Sequence, residues 1–426
     1  MPKKNLSLRN FASIESRITD YSSWTKDDLI KKIIALEQEI LFKKKKNTYT
    51  EQYIFEDLNF SDKSSSSIKK PFLMSNYNQR YIAFKFAYLG WYYNGLVTQG
   101  NKTQLPTVEE TIFFALKKAK LIDHERNCNF SRCGRTDKGV TAIGQVMALN
   151  VRSNKPFNEN SEEKWSEIKY IDILNKLLPK TIRILAWCSD LPSDFSARFS
   201  CQKRHYKYLF FKDSPNVQLN IEKMSKAASY FIGKHDFRNF CKLDTSKQIT
   251  NFTRIITRSE INKYNTAEEN DSLYVFDLEG TAFLWHQVRS MIAVLFLVGQ
   301  DLEKPEIIKT LLDTSKTSQK PIYNIAHDLP LILYDCHFQN LNWNYGEETF
   351  SQSLYKNIYD LWHTAKIQNT IIDLLLKNIQ NNKIPNNIIT KKVIIKDGTG
   401  VNQSLTKYVQ IENRKKENNY KNAKNK

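Results

Sequence analysis

The densest concentration of potential chemistry is Ser131-Arg132-Cys133-Gly134-Arg135-Thr136-Asp137-Lys138-Gly139-Val140. One carboxylate, Asp137, sits among Arg132, Arg135 and Lys138, and nearby cations favour its ionised form. An ionised aspartate on a basic loop is suited to act as nucleophile or base on an anionic substrate. Gly134 and Gly139 bracket it and permit a tight turn with close backbone approach. The alternative reading of these residues is an ordinary turn with a surface ion pair. The segment does not fit G-x-x-x-x-G-K-[ST], which disfavours phosphate cradling of the P-loop kind.

Other reactive side chains are scattered. The six cysteines, Cys128, Cys133, Cys188, Cys201, Cys241 and Cys336, contain no C-x-x-C pair. The histidines contain no H-E-x-x-H, so no metal site or redox dithiol is expected. His286 and Arg289 fall on one face of a predicted helix, where His286 reads as a packing or hydrogen-bonding residue rather than a ligand. Cys133 reads as small-residue packing beside the loop, with a covalent role left open. Tyr206 and Tyr208 point to the same side of a predicted strand, because side-chain direction repeats every two residues. Register therefore does not choose between them.

The elements that must hold these residues come in two series. Strands at Tyr81–Tyr88, Gln145–Val151 and Ile182–Trp187 alternate with two helices. One starts at a Thr107/Glu110 capping box and carries Val108, Ile112, Leu116 and Ala119 on one face. The other spans Ile171–Leu178. The second series has strands at His205–Phe211, Phe252–Ile261, Leu273–Leu278 and Leu331–Phe338, with helices at Ile221–Ile232 and Trp285–Val298. This alternation predicts an α+β protein of two lobes, residues 80–200 and 201–345, with antiparallel strands rather than a doubly wound sheet. Residues 1–79 read as an N-terminal extension. In it Thr25 and Asp28 open a short helix, and Leu29, Ile33, Leu36 and Ile40 have coiled-coil spacing. That helix packs on its own chain, dimerises or contacts RNA. A Ser/Lys linker follows at Ser64–Ser67. Residues 346–426 carry one more helix, around Ile358–Leu376, and a basic Asn/Lys-rich tail expected to be disordered from Asn413 onward.

Composition bounds the class. The chain has 426 residues, which suggests two or three domains at roughly 150 residues each. Lys and Arg number 64 against 45 Asp and Glu, a formal charge of +19. An anionic partner is implied, nucleic acid first and an anionic membrane surface second. Apolar residues at 41 % and aromatics at 12 % exclude wholesale disorder, and 12 Gly with 11 Pro exclude collagen-like chains. The longest apolar run, Met291 to Val298, is far short of the ~20 residues that span a bilayer. No secretory leader is expected, and the scattered cysteines read as reduced and intracellular.

The run Arg132-Cys133-Gly134-Arg135-Thr136-Asp137-Lys138-Gly139-Val140 resembles the signature of the TruA-type tRNA pseudouridine synthases. Upstream, Phe84-Lys85-Phe86-Ala87-Tyr88-Leu89-Gly90-Trp91 and Pro106-Thr107-Val108-Glu109-Glu110 are similar to that family's first strand and helix. Downstream, Phe195-Ser196-Ala197-Arg198-Phe199, His235-Asp236-Phe237-Arg238-Asn239 and Phe283-Leu284-Trp285-His286-Gln287-Val288-Arg289 resemble later motifs in the right order. The resemblance covers about residues 80 to 345. Cys133-Gly134, the N-terminal helix and Glu303-Lys304-Pro305-Glu306-Ile307-Ile308 resemble the eukaryotic branch that acts on uridines 38 and 39 of the anticodon arm.

The resemblance implies two ferredoxin-like lobes joined into one long, mostly antiparallel sheet, with helices on one face and a central basic cleft. It implies conversion of uridine to pseudouridine within tRNA, an isomerisation that requires no cofactor and no metal. Asp137 is then the catalytic aspartate, as nucleophile or by removing a sugar proton, with Arg289 its basic partner and Tyr206 the active-site tyrosine. Arg135 would support a flipped nucleotide, and Arg132, Lys138, Arg198 and Arg238 would contact RNA. The partner is tRNA, a homodimer is expected, and the location is nucleus and/or cytoplasm. The competing readings are a synthase for other tRNA positions and a non-catalytic tRNA binder or chaperone.

Overall fold

A computed structural model describes Thr25 and residues 72–417, except 101–102, 157–164, 215–216, 244–248, 265–271, 382–392 and 400–402. The N-terminal helix, the Ser/Lys linker and the last nine residues of the tail lie outside the described residues. Residues 67–426 form one compact unit.

Strands β1 (Asn78–Tyr88), β2 (Ser131–Arg132), β3 (Thr141–Ser153) and β4 (Ile182–Cys188) come from the first series. From the second come β5 (Lys203–Phe211), the two-residue pair β6 (Asp213–Ser214) and β7 (Val217–Gln218), β8 (Gly233–Asp236), β9 (Thr253–Lys263), β10 (Leu273–Gly280) and β11 (Leu331–His337). Nine strands make one sheet in the order β4-β1-β3-β11-β5-β10-β9-β8, with β2 added beside β3. Late in the chain, β11 joins the two series. It pairs antiparallel with β5 and, through Ile332↔Thr141 and Leu333↔Ala142, parallel with β3. The sheet is otherwise antiparallel.

Alternation in the sequence decides which face each strand buries. In β5 Lys203, His205 and Lys207 alternate with Arg204, Tyr206, Tyr208 and Phe210, and the three aromatic residues are buried. Cross-strand register then lines up Ile182, Tyr88, Ala142, Leu333, Tyr206 and Leu278 in one row across six strands. Every member is buried. Helices cover this face. In α1 (Val108–Lys118) the capping box forms as the sequence predicts. Tyr170 of α2 (Tyr170–Leu177) sets its ring edge-on to Phe84 at 5.9 Å and to Trp187 at 5.2 Å. Ala228 of α3 (Ile221–Ser229) accepts a 2.7 Å hydrogen bond from Ser259 of β9. Phe296 of α4 (Gln287–Gly299) packs on Phe210 at 5.5 Å and on Tyr208 at 6.1 Å. The short α5 (Ile307–Leu312) follows.

The opposite face is polar and ion-paired. Lys85 meets Asp335 at 2.7 Å, Lys203 meets Glu279 at 2.9 Å, and His205 meets Asp277 at 2.7 Å. Such two-sidedness is what an antiparallel sheet permits, and the long sheet agrees with the predicted fold class.

Beyond the sheet, α6 (Glu348–Asn381) runs 34 residues, longer than the predicted helix. A small hairpin of β12 (Val393–Ile395) and β13 (Gln403–Leu405) follows. The tail is ordered further than its composition predicts. Ile411 is fully buried, the Glu417 carboxylate pairs with Lys320 at 3.1 Å, and Lys416 bridges to the backbone of Pro321. A few well-placed contacts fix Asn413–Glu417, which average composition does not register.

Candidate active site

The loop carrying Asp137 is held at both ends before its chemistry is considered. The Cys133 N–H donates to Val146 O at 2.8 Å. The buried Gln145 side chain accepts from Gly134 N at 3.3 Å and donates to Gly134 O at 3.2 Å. Further along, Thr136 Oγ1 shares a 2.7 Å hydrogen bond with Tyr88 Oη, and Val140 N donates to Asp137 O at 3.3 Å. Gly139 takes the third position of that turn at φ +82°, a conformation that favours glycine. A Cβ there would also meet Asp328 Oδ1 at 2.7 Å.

The β10–α4 connection brings the facing groups. Trp285 Nε1 donates to Asp137 Oδ1 at 3.2 Å, and His286 Nε2 lies 3.3 Å from Asp137 Oδ2. His286 occupies the left-handed region at φ 61°, where non-glycine residues are uncommon and concentrate at functional sites. Arg289, one turn into α4, donates from Nε to Ala326 O at 2.7 Å. Its Nη1 then sits 3.8 Å from Asp137 Oδ2 and its Nη2 3.9 Å from Asp328 Oδ2. At 3.8 Å the guanidinium acts on Asp137 as a charge rather than as a hydrogen-bond donor. Burial pushes the His286 imidazole below its ordinary range, against the pull of Asp137. His286 therefore stays neutral near neutral pH and leaves Arg289 as the permanent cation.

Asp137 faces a cavity of about 1130 Å³. Among the described residues, six arginines and one lysine line it, against a single carboxylate, Asp137. Tyr206 also lines it, with its ring edge-on to Phe283 at 5.0 Å. Burial pushes the Tyr206 phenol well above its ordinary range, so its hydroxyl keeps its proton at neutral pH. Its strand neighbour Tyr208 is a core residue whose single hydroxyl proton is shared between His327 O at 3.0 Å and Asp397 O at 3.2 Å. The tertiary structure thus separates two tyrosines that register could not.

The structure brings Asp137, Tyr206, Arg289, Arg135, Lys138, Arg198 and Arg132 to this one cavity. They are not equally available. Arg135 and Lys138 are exposed, and neither pairs with a carboxylate among the described residues. Arg198 is exposed and stands over the Phe199 ring at 5.2 Å. Arg132 is engaged internally: its Nε contacts Glu109 Oε1, and its Nη2 donates to Glu109 Oε2 at 3.1 Å. Burial pushes the Glu109 carboxyl up while Arg132 pulls it down, so much of the Arg132 charge is committed to a buried acid. Arg238 is absent from the cavity lining. It forms a fork on Asp236, with Nε–Oδ1 at 3.0 Å and Nη2–Oδ2 at 2.7 Å.

The sequence reading missed four contributors. Trp285 lay inside a quoted motif without a role, and Phe199, 81 % exposed on the cavity wall, carried no sign of its position. Arg254 and Arg204 also line the cavity. Arg204 ties three segments by donating to Cys133 O at 2.9 Å, Arg198 O at 3.0 Å and Thr281 O at 2.8 Å. The absence of C-x-x-C spacing also concealed a cluster, because Cys133, Cys201 and Cys336 converge with all three sulfurs within 4.8 Å of one another.

A basic cavity with one carboxylate held between an indole, an imidazole and a guanidinium defines an enzyme acting on a polyanion. Comparison with known proteins specifies which. The family model described as tRNA pseudouridine synthase matches residues 227–339. The tRNA pseudouridine(38/39) synthase of Saccharomyces cerevisiae is 44 % identical over 424 residues, covering 96 % of this chain and 92 % of that protein. The Homo sapiens protein of the same name is 39 % identical over 376 residues, 84 % of this chain and 76 % of that one. A tRNA pseudouridine synthase A of Methanothermobacter thermautotrophicus is 32 % identical over 237 residues, 56 % of this chain and 74 % of that one. Among solved structures, a chain of the Cbf5-Nop10-Gar1 complex aligns over 56 % of this chain and 52 % of its own at 14 % identity and a TM-score of 0.25, too slight a likeness to define the fold. The chain belongs to the tRNA pseudouridine synthase family.

Proposed function

We propose that this chain converts uridine 38, uridine 39 or both in the tRNA anticodon arm to pseudouridine, with Asp137 as the reacting carboxylate. The observation that carries this reading is the solitary position of Asp137 in a cavity lined by six arginines and one lysine. The cations attract the RNA backbone, and among the described lining residues Asp137 is the one acid that faces them. In the reaction the N1–C1′ bond breaks, the uracil turns, a C5–C1′ bond forms, C5 gives up its proton and N1 takes one up, so that the product is an isomer of the substrate. A stacked anticodon-arm base must first be drawn out of the helix. Arg135, exposed two residues before Asp137, fills the vacated position and binds phosphate. Tyr206 offers an aromatic wall to the turning uracil, and Arg289 faces the Asp137 carboxylate with its Nη1 at 3.8 Å. Lys138 and Arg198 serve as backbone contacts. Arg132 and Arg238, already engaged by Glu109 and Asp236, are the lesser contacts in this reading.

Asp137→Ala tests the assignment. Tritium release from 5-tritiated uridine in tRNA is expected to vanish while tRNA binding persists, as the cationic lining is untouched. Unchanged release would remove Asp137 from the chemistry. Mapping pseudouridine by position in cells lacking the chain decides between positions 38/39 and other sites.

The second part of the proposal is a homodimer through α6. From Trp362 to Asn381 every side chain of this helix is exposed, including Ile372 at 62 % and Leu375 at 60 %. Leu354, Ile358, Leu361, Ala365, Gln368, Ile372, Leu375 and Ile379 alternate by four and three residues, a coiled-coil seam with one polar member near its middle. A helix this long with a bare apolar seam needs a partner. A two-fold axis near Gln368 pairs the seam with itself in antiparallel fashion. Ile372→Glu with Leu375→Glu is expected to give a monomer in sedimentation velocity. A wild-type chain that is monomeric at micromolar concentration would refute the pairing.

A further inference from the structure

Cys133, Cys201 and Cys336 come from three distant parts of the chain: the loop after β2, the segment entering β5, and β11. All three are buried, and their sulfurs lie within 4.8 Å of one another. Thiolates around a tetrahedral d10 cation at ~2.3 Å are spaced roughly 3.8 Å apart, so the cluster needs only small side-chain adjustments to close on such an ion. Next to it stands Arg204, whose Nη2 donates to Cys133 O at 2.9 Å. Among the described residues no carboxylate pairs with Arg204, and its guanidinium donates to the carbonyl oxygens of Thr281, Cys133 and Arg198. Three thiolates with one divalent cation carry a net charge of −1, which the Arg204 guanidinium balances. Cysteine packed merely as a small hydrophobe asks for no such counter-charge.

We propose that Cys133, Cys201 and Cys336 form a binding site for a thiophilic divalent d10 cation of the Zn²⁺ type. Three protein ligands leave a fourth position open, and Cys133 lines the active-site cavity, from which water fills that position. The ion ties the loop of Asp137, four residues after Cys133, to β11 and to the start of β5. Its role is to staple the loop, and the uridine chemistry proceeds at Asp137. Its coordination rests on the thiols and stands or falls separately from the substrate assignment.

The test is a titration of the reduced full-length chain with Cd²⁺, followed by the ultraviolet thiolate-to-metal charge-transfer band. One equivalent is expected to saturate the band, and added Zn²⁺ is expected to displace the probe. Cys336→Ser and Cys201→Ser are each expected to abolish the one-equivalent band, whereas Cys241→Ser, at a buried cysteine outside the cluster, keeps it. Zn²⁺ is also expected to raise the thermal midpoint of the wild-type chain and not that of Cys201→Ser, which answers the question should Cys336→Ser fail to fold. A band that never saturates near one equivalent overturns the site. So does a one-equivalent band that survives Cys201→Ser, or a thermal midpoint that Zn²⁺ leaves unchanged in the wild type.

Discussion

Replacing Trp285 by Phe removes a single N–H from the active site and leaves an aromatic ring. In the native chain that N–H donates to Asp137 Oδ1 at 3.2 Å, and the ring lies under the Lys242 ammonium at 4.7 Å. A hydrogen bond to a charged acceptor contributes ~1.5–3 kcal/mol. This one is at the long end of the usual range, and Asp137 keeps 31 % side-chain exposure, so water partly replaces the lost donor. The expected loss is therefore about 1 to 1.5 kcal/mol, or roughly five- to thirteenfold in rate. The assay is single-turnover tritium release from 5-tritiated uridine in tRNA, with tRNA affinity measured in parallel. A lower rate at unchanged affinity supports a carboxylate oriented by the indole. An unchanged rate would refute the argument. A loss confined to affinity would refute it equally, because it would make Trp285 an RNA contact and leave Asp137 oriented by other groups.

Three more outcomes follow from the same geometry. Arg132→Met strands Glu109, whose side chain is only 4 % exposed. Removing one member of a buried pair is strongly destabilising, by about 3 kcal/mol here at the low end of the range because Glu109 can take up a proton, and urea unfolding should show most of that loss restored in Glu109→Gln/Arg132→Met. Phe199→Ala removes the exposed ring on the cavity wall, and tRNA affinity should fall about tenfold, from ~1–3 kcal/mol per stacked base. An unaltered dissociation constant would exclude base stacking there. Burial pushes the Asp277 carboxyl up, but the hydrogen bond and charge of His205, with Lys207 and Arg258, outweigh it and hold it below the usual range. A depressed folded-state pKa gives stability that is present above the unfolded value near ~3.9 and is lost as pH falls through the folded one. Asp277→Asn should therefore lower stability at neutral pH and flatten the stability curve below about pH 4 in acid titrations followed by circular dichroism.

Local pattern was enough for most of the elements. Strand alternation in His205-Tyr206-Lys207-Tyr208 and the Thr107/Glu110 box are decided by neighbours two to four residues apart, and the structure repeats them with ends shifted by a few residues. The Asp137 loop was legible for a related reason: two glycines and a lone acid among bases constrain one another within ten positions. Arg132 and Arg238 show the limit of that reasoning. Both look like free phosphate contacts in sequence, yet Glu109 and Asp236 hold them. Asp236 closes β8 and Arg238 lies in the turn that follows, so strand alternation does not extend to this pair.

By itself the sequence determined the charge of the molecule, the alternation of its strands and the identity of its one loop acid, since each is written in adjacent residues. Tertiary structure alone decided which groups meet that acid. Trp285 and Arg289 reach Asp137 because α4 docks across the sheet on Tyr208 and Phe210. Tyr206 rather than Tyr208 borders the cavity because the Asp397 and His327 carbonyls cap the latter. The three thiols gather because β11 inserts between β3 and β5. Contacts between segments separated by dozens of residues depend on how whole elements pack, and no local spacing encodes that.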